Sequence, residues 1–168
     1  MVQPGHIAAV VTDAVEHADG AATALVFRAG TLTCALPLDQ VIETMRPLRI
    51  RPLAGTTDIV PGICIMRGVP APVVDTAVLL TGAPGQVSRF VAVRTDHGPV
   101  ALATGPVLGI RPTAGTSAAT PTHGSLLGGT AGGLVAAVDT LDGEPLLRLH
   151  SMRHLPDEVW AAAAMAAS

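Results

Sequence analysis

Aromatic side chains are almost missing from this chain. It has no tyrosine, and Phe27, Phe90 and Trp160 are its whole aromatic complement, so it lacks the platform on which proteins stack single-stranded bases. Charge is scarce too. Asp, Glu, Lys and Arg make up 14% of residues, the formal net charge is −3 and the pI is near 6, which leaves no basic footprint for a phosphate backbone. Nucleic acid is excluded as a partner on both counts. No continuous apolar run approaches the ~18 residues that a membrane helix needs, so direct membrane insertion is not expected. The opening residues, MVQPGHIAAVV, carry no basic group ahead of their apolar stretch, and no secretory signal is read there. Only two cysteines occur, Cys34 and Cys64. Each sits inside an apolar strand-like run and reads as a small core residue of a reducing, cytoplasmic compartment.

What is present is aliphatic. Hydrophobic residues form 49% of the 168, enough for one ordinary domain or two very small subdomains sharing a core. Residues 1–22 show no sustained alternation and read as an N-terminal arm, poorly ordered or briefly helical. From Thr23 short apolar runs follow one another, broken by Gly, Pro and Asp: Ala24–Ala29, Leu32–Leu36, Val41–Met45, Ile63–Met66, Val73–Val74, Phe90–Arg94, Val100–Thr104, Val107–Ile110, Leu134–Val138 and Leu146–Leu149. Ten runs at this spacing predict an all-β barrel or sandwich over residues 23–155. Fourteen prolines and eighteen glycines would break most helices of useful length. The exception is residues 156–168, where Pro156, Asp157 and Glu158 form a first helical turn and Trp160 supplies an anchor.

The chain repeats itself. LVFRAGTLTCALPLDQVIETM (25–45) matches FVAVRTDHGPVALATGPVLGI (90–110) in outline: strand, Gly-containing turn, strand, then a third strand beginning at Val41 or Val107. RGVPAPVVD (67–75) matches DGEPLLRLH (142–150) in the spacing of Gly, Pro and the apolar strand. The halves are two copies of one five-stranded unit, each so small that the copies should pack face to face. TAGTSAATPTHGSLLGGTAGG (113–133) reads as a mobile loop of the second unit, and RPLAGTTDIVPG (51–62) fills the matching place in the first.

Candidate chemistry is thin. His123, Ser125 and Asp139 are the nearest approach to a hydrolytic assembly, but Gly-Ser-Leu-Leu-Gly is not a nucleophile elbow. His150 and His154 are spaced like two metal ligands on one helical turn, yet no third ligand follows and Pro156 limits any helix there. The glycines of 128–133 are followed by neither Lys-Ser/Thr nor a helix able to hold an anion. Carboxylates are scattered singly, without a pair for acid–base work. A small β-barrel enzyme with the 113–133 loop as a lid would need a pocket beneath it floored by His123 or His150. No metal or cofactor is implied.

One stretch, GICIMRGVPAPVVD (62–75), sets Arg67-Gly68 between two apolar runs. Glycine after a long polar residue suits a turn requiring φ > 0. The arginine is then a solvated turn residue, an electrophile, or a handle offered to a partner through its planar multi-donor head. Periodicity does not choose among them.

The order of motifs resembles the chemotaxis coupling adaptors, the CheW-like domain family. Gly62-Ile63-Cys64-Ile65-Met66-Arg67-Gly68 followed by Pro72-Val73-Val74-Asp75 looks like the family's most recognisable stretch. LTCALPLDQVIETM (32–45), with Val41 and Glu43, is similar to its upstream segment, and VLGIRP (107–112) and LDGEPLLRL (141–149) to its second-half signatures. The likeness runs from about Ala24 to Arg153. It implies two intertwined five-stranded SH3-like barrels packed together, and no catalytic activity. It also implies a scaffold bridging the cytoplasmic tip of chemoreceptors and a histidine autokinase whose regulatory domain is itself CheW-like, at receptor assemblies on the inner membrane. Partner contacts are implied at Val41, Glu43, Gly62, Arg67 and Gly68, with the receptor hairpin lying in the groove between barrels. Arg67 is also open to a supporting role, pinning its hairpin to a neighbouring loop.

Three positions depart from the family pattern. Ile65 replaces an asparagine, Gly105-Pro106 replaces an aspartate-containing segment, and His150 replaces the second-half counterpart of Asp75. Each exchanges a fixed polar group for an apolar or titratable one, which points to a divergent, pathway-specific adaptor.

Overall fold

The computed structural model describes residues 22–113, 133–166 and 168. Ten strands occupy the places that the apolar runs mark: β1 (Ala22–Ala29), β2 (Leu32–Pro37), β3 (Val41–Met45), β4 (Gly62–Met66), β5 (Val69–Asp75), β6 (Arg89–Thr95), β7 (Gly98–Thr104), β8 (Val107–Thr113), β9 (Val135–Leu141) and β10 (Glu144–Leu149). Two helices join them, α1 (Thr76–Thr81) and α2 (Asp157–Ala166). β5 is longer than its apolar run because Pro70 and Pro72 belong to it. Both lie in the half of the strand that β7 does not reach, since β7 pairs only from Val73 onward; a missing N–H breaks no ladder on that side.

The strands form two five-stranded sheets, in the orders β8-β1-β2-β10-β9 and β3-β6-β7-β5-β4. These are not the two halves of the chain. The repeat equates β1 with β6, β2 with β7, and so on to β5 with β10, and under that exchange one order becomes the other. Each sheet therefore takes two strands from one copy and three from the other. Register makes the equivalence residue by residue. The hairpin ends Ala29↔Leu32 and Thr95↔Gly98 are 66 residues apart, and Val41↔Val93 answers Phe27↔Val107 with the same offset. Sequence similarity alone aligned Leu25 with Phe90, one residue out of step. The later strands follow an offset of 75: Asp75 N donates to Ile59 O at 2.8 Å and His150 N to Leu134 O at 2.7 Å.

Strand alternation separates three cores. One face of each sheet turns toward the other sheet, where Phe27, Leu36, Val91, Val93, Val100 and Leu102 meet. The opposite faces line the barrel interiors: Phe90, Cys64, Met66 and Val73 in the first, Ala24, Val26, Ala35 and Leu146 in the second. Burial on both faces explains why the strands read as continuous apolar runs rather than as in–out alternation. Each fully buried Val, Leu or Phe contributes about 1.5–3 kcal/mol.

The six-residue α1 was not expected from periodicity. Asp75 caps it, Oδ1 accepting from Val78 N at 3.1 Å, and Gly82 ends it in the left-handed region (φ 78°). Its second-half counterpart shrinks to one 3₁₀ turn, Met152–His154, capped by Ser151. α2 covers the far end of the inter-sheet core, burying Val159 and Ala162. Trp160 is only half-buried and stacks on His97 with ring centroids 4.4 Å apart; the aliphatic side chains are the deeper anchors. Among the described residues no helix is long and apolar enough to cross a membrane.

Candidate functional site

Arg67 occupies the tip of the β4–β5 hairpin. Its φ is 49° and that of Gly68 is 81°, the paired left-handed values of a type I′ turn, the two-residue connection whose twist matches the flanking strands. The second copy repeats the device at Asp142 (φ 52°) and Gly143 (φ 82°). An arginine in this region accepts backbone strain that a Cβ normally avoids, so its side chain leaves the hairpin in a fixed direction.

That direction leads to Glu43. Arg67 Nε donates to Oε1 at 2.7 Å and Nη2 to Oε2 at 2.6 Å, a two-pronged pairing of planar groups. The hydrogen bond from Arg67 holds the Glu43 carboxyl below its ordinary value, and Glu43 raises the guanidinium in return. The Arg67 side chain is 80% exposed and that of Glu43 28%, so water screens the attraction and the pair adds little to stability. Its effect is geometric. β3 and β4 are the two outer strands of their sheet, and the pair ties one edge to the other.

A second tie lies further along. The chain leaving β3 crosses to β4, where Arg51 N donates to Ile63 O at 2.7 Å and Ile63 N to Arg51 O at 2.9 Å. Gly62 sits beneath this crossing. A Cβ there would come within 2.1 Å of Arg51 O, so only glycine lets the strand ends meet. Gly62 is buried, packed under the crossing chain. Val41 is half-buried and packs on the inter-sheet core. The residues singled out in the sequence thus separate: Glu43, Arg67 and Gly68 reach the surface together, while Val41 and Gly62 shape what lies under it.

Apolar side chains border the exposed pair. Glu43 faces Ala92 and Val41 faces Val93, leaving Ile42 as the extra residue of a bulge with 46% of its surface exposed. Ile65 and Val69 flank the arginine at 43% and 47%. The second copy carries the same bulge at Leu108, 43% exposed, but has Gly109 in place of Glu43. Among the described residues, therefore, the first barrel alone combines an apolar edge with an oriented charge pair.

A family model for the CheW-like domain matches residues 23–158. The chain belongs to the CheW-like domain family. Among solved structures, a scaffolding protein, TtCheW from Thermoanaerobacter tengcongensis, is similar in fold at a TM-score of 0.67 and 19% identity, over 77% of this chain and 89% of that one. None of the curated protein sequences compared with it matches.

The three departures of this CheW-like domain acquire physical settings. Ile65 is one of the exposed apolar side chains beside Arg67. Gly105 lies against the Arg28 backbone, where a Cβ would stand 3.0 Å from Arg28 O, and its N–H donates to that oxygen at 2.8 Å. His150 gives up the capping role that Asp75 plays, and Ser151 takes it over.

Of the catalytic and metal candidates, only Asp139 and His150 have described side chains. His123, Ser125 and residues 114–132 lie outside the described residues, as does the side chain of His154. Asp139 is engaged elsewhere, its Oδ2 2.7 Å from Arg148 Nε. Among the described residues no group of three His, Cys, Asp or Glu could hold a metal ion. A cavity of about 280 Å³ does open in the second barrel, lined by Ala24, Ala35, Thr113, Arg148, His150 and Ser151. By the repeat register Ala24 stands where Phe90 fills the first barrel. The cavity's lining includes His150, the residue that the lid-enzyme reading places at a pocket floor.

Proposed function

We propose that this chain is a non-enzymatic adaptor of chemotaxis-type signalling, cytoplasmic and recruited to receptor assemblies. There it couples the cytoplasmic tip of chemoreceptors to a histidine autokinase with a CheW-like regulatory domain. One observation carries the reading: the Arg67–Glu43 pair fixes a rim on which Ile42, Ile65 and Val69 stand exposed. Exposed apolar residues around an oriented arginine are the composition of an interface centre rather than of a solvated turn. Partner contact is assigned to Glu43, Arg67 and Gly68 directly, and to Val41 and Gly62 through the shape they impose.

A second reading keeps the scaffold and changes the partners to those of another regulatory pathway, in motility or gene regulation. Ile65 favours it, because an exposed isoleucine where the family has an asparagine alters the surface that a partner meets. Capture of partners on the immobilised full chain, followed by mass spectrometry, separates the two. The adaptor reading expects an autokinase with a CheW-like domain, lost in Arg67→Ala while the melting temperature stays nearly unchanged. Recovery of other regulators instead selects the second reading. A large drop in melting temperature with capture intact would make Arg67 a structural residue only.

A further inference from the structure

All ten cationic side chains are arginines, and most are engaged. Arg28, Arg67, Arg148 and Arg153 stand against Glu144, Glu43, Asp139 and Asp96, and Arg94 donates to the Asp39 carbonyl. Of the remaining five, four gather at one end of the first barrel. Met45 pairs with Phe90, which puts Arg46 at the register position opposite Arg89. Leu48 and Ile50 pack onto the first barrel's core, and the arginines that alternate with them, Arg49 and Arg51, are left at the surface. Arg46, Arg49, Arg51 and Arg89 are all exposed. Among the described residues no carboxylate meets any of the four guanidinium groups; Arg89 Nη1 donates to the Ser88 carbonyl beside it.

Four uncompensated like charges on a chain of net charge −3 repel one another, and surfaces with no binding role intersperse the two signs. The backbone matters as well. Residues 46–50 pair with no strand, the segment's one bridge being Arg51 to Ile63. The strip therefore offers backbone groups that no strand pairs, beside exposed arginine forks at 49 and 51. A lipid surface would call for apolar side chains to insert beside the charges, and Leu48 and Ile50 face the wrong way. Single-stranded nucleic acid would call for aromatic stacking that the chain lacks, and a duplex backbone for a net positive charge where the chain carries −3.

We propose that residues 46–51, with Arg89, are a docking strip for an acidic, extended segment of a protein partner, whose carboxylates meet the exposed guanidinium forks of Arg49 and Arg51. This does not rest on the adaptor reading, since the strip lies at the far end of β4 from Arg67. Fluorescence anisotropy of the full chain with a labelled alternating Glu-Val peptide tests it. Binding is expected. It should weaken about tenfold in the double variant Arg49→Gln with Arg51→Gln, and similarly on raising NaCl from about 50 to about 500 mM. Arg111→Gln, on β8, should leave it unchanged. The thermal melt checks that the double variant folds; if it does not, Arg46→Gln with Arg89→Gln, clear of the Arg51 bridge, must show the loss. Four results would each overturn the proposal: no saturable binding; an equal loss in Arg111→Gln; stronger capture by phosphatidylserine vesicles than by the peptide; or binding only after removal of residues 1–21, whose Asp13, Glu16 and Asp19 would then be the occupant.

Discussion

Replacing Gly62 by alanine tests a position that resemblance puts at a partner contact and geometry puts inside the barrel. The added Cβ would lie 2.1 Å from Arg51 O, 2.7 Å from Arg51 C and 2.9 Å from Pro52 Cα. All three are backbone atoms, so no side chain can swing aside, and relief requires the crossing chain to move off β4. Overpacking of this kind costs about 1–3 kcal/mol. Holding a residue with a Cβ at the φ of 155° found there adds about 1–3 kcal/mol. The sum is about 4 kcal/mol, which for a chain of this size lowers the melting temperature by about 12 °C. Gly68→Ala is the matched control: its φ is 81° but nothing lies within 4 Å of the new methyl, leaving only the backbone term of about 1–2 kcal/mol, or about 4 °C. Thermal unfolding followed by far-UV circular dichroism reads both. A Gly62→Ala drop no greater than that of Gly68→Ala would refute the steric argument, and a Gly62→Ala protein that melts normally yet captures no partner would restore the contact role.

Two further outcomes follow from the titrating groups. Glu43 should titrate below its ordinary value of 4.5; because its folded-state pKa is lowered, the tie to Arg67 is in place at neutral pH and is lost as pH falls through that depressed value. Carboxyl-carbon NMR of Glu43 should show the lowered midpoint, which rises in Arg67→Gln as the hydrogen bond that lowers it is lost; an unchanged midpoint in the variant would mean that the pair does not persist in solution. Burial pushes the Cys34 thiol up to about 12 and raises that of Cys64, so at pH 8 a thiolate-directed reagent should modify neither cysteine until the protein is denatured, and prompt labelling of Cys34 in the native state would contradict its burial.

The strands were legible because each copy cuts its apolar runs with Gly, Pro and Asp at hairpin positions, and Arg67-Gly68 and Asp142-Gly143 are turns of the kind those residues announce. α1 was not, although its Asp75 cap and Gly82 stop stand in the sequence, because six residues are too few to establish a helical period. The exchange of strands between copies could not be read from similarity, which identifies equivalent units but not which of them pair. Glu43 and Arg67 were singled out from separate motifs. Their union depended on the sheet bending until its edges met, a property of curvature rather than of spacing. Gly62 belonged to the same motif as Arg67, and nothing in the string distinguished a glycine under a crossing chain from one beneath a partner.

The interlacing of the two copies has a consequence for how the molecule lives and fails. Cut between α1 and β6, it would yield two fragments, each holding strands whose neighbours had left with the other; neither could seal its own barrel, and they would have to reunite to fold at all. A half-length chain built on this plan could close its barrels only by exchanging strands with a second copy of itself. Injury to either barrel is therefore shared by both, and the molecule should come apart in one step rather than two.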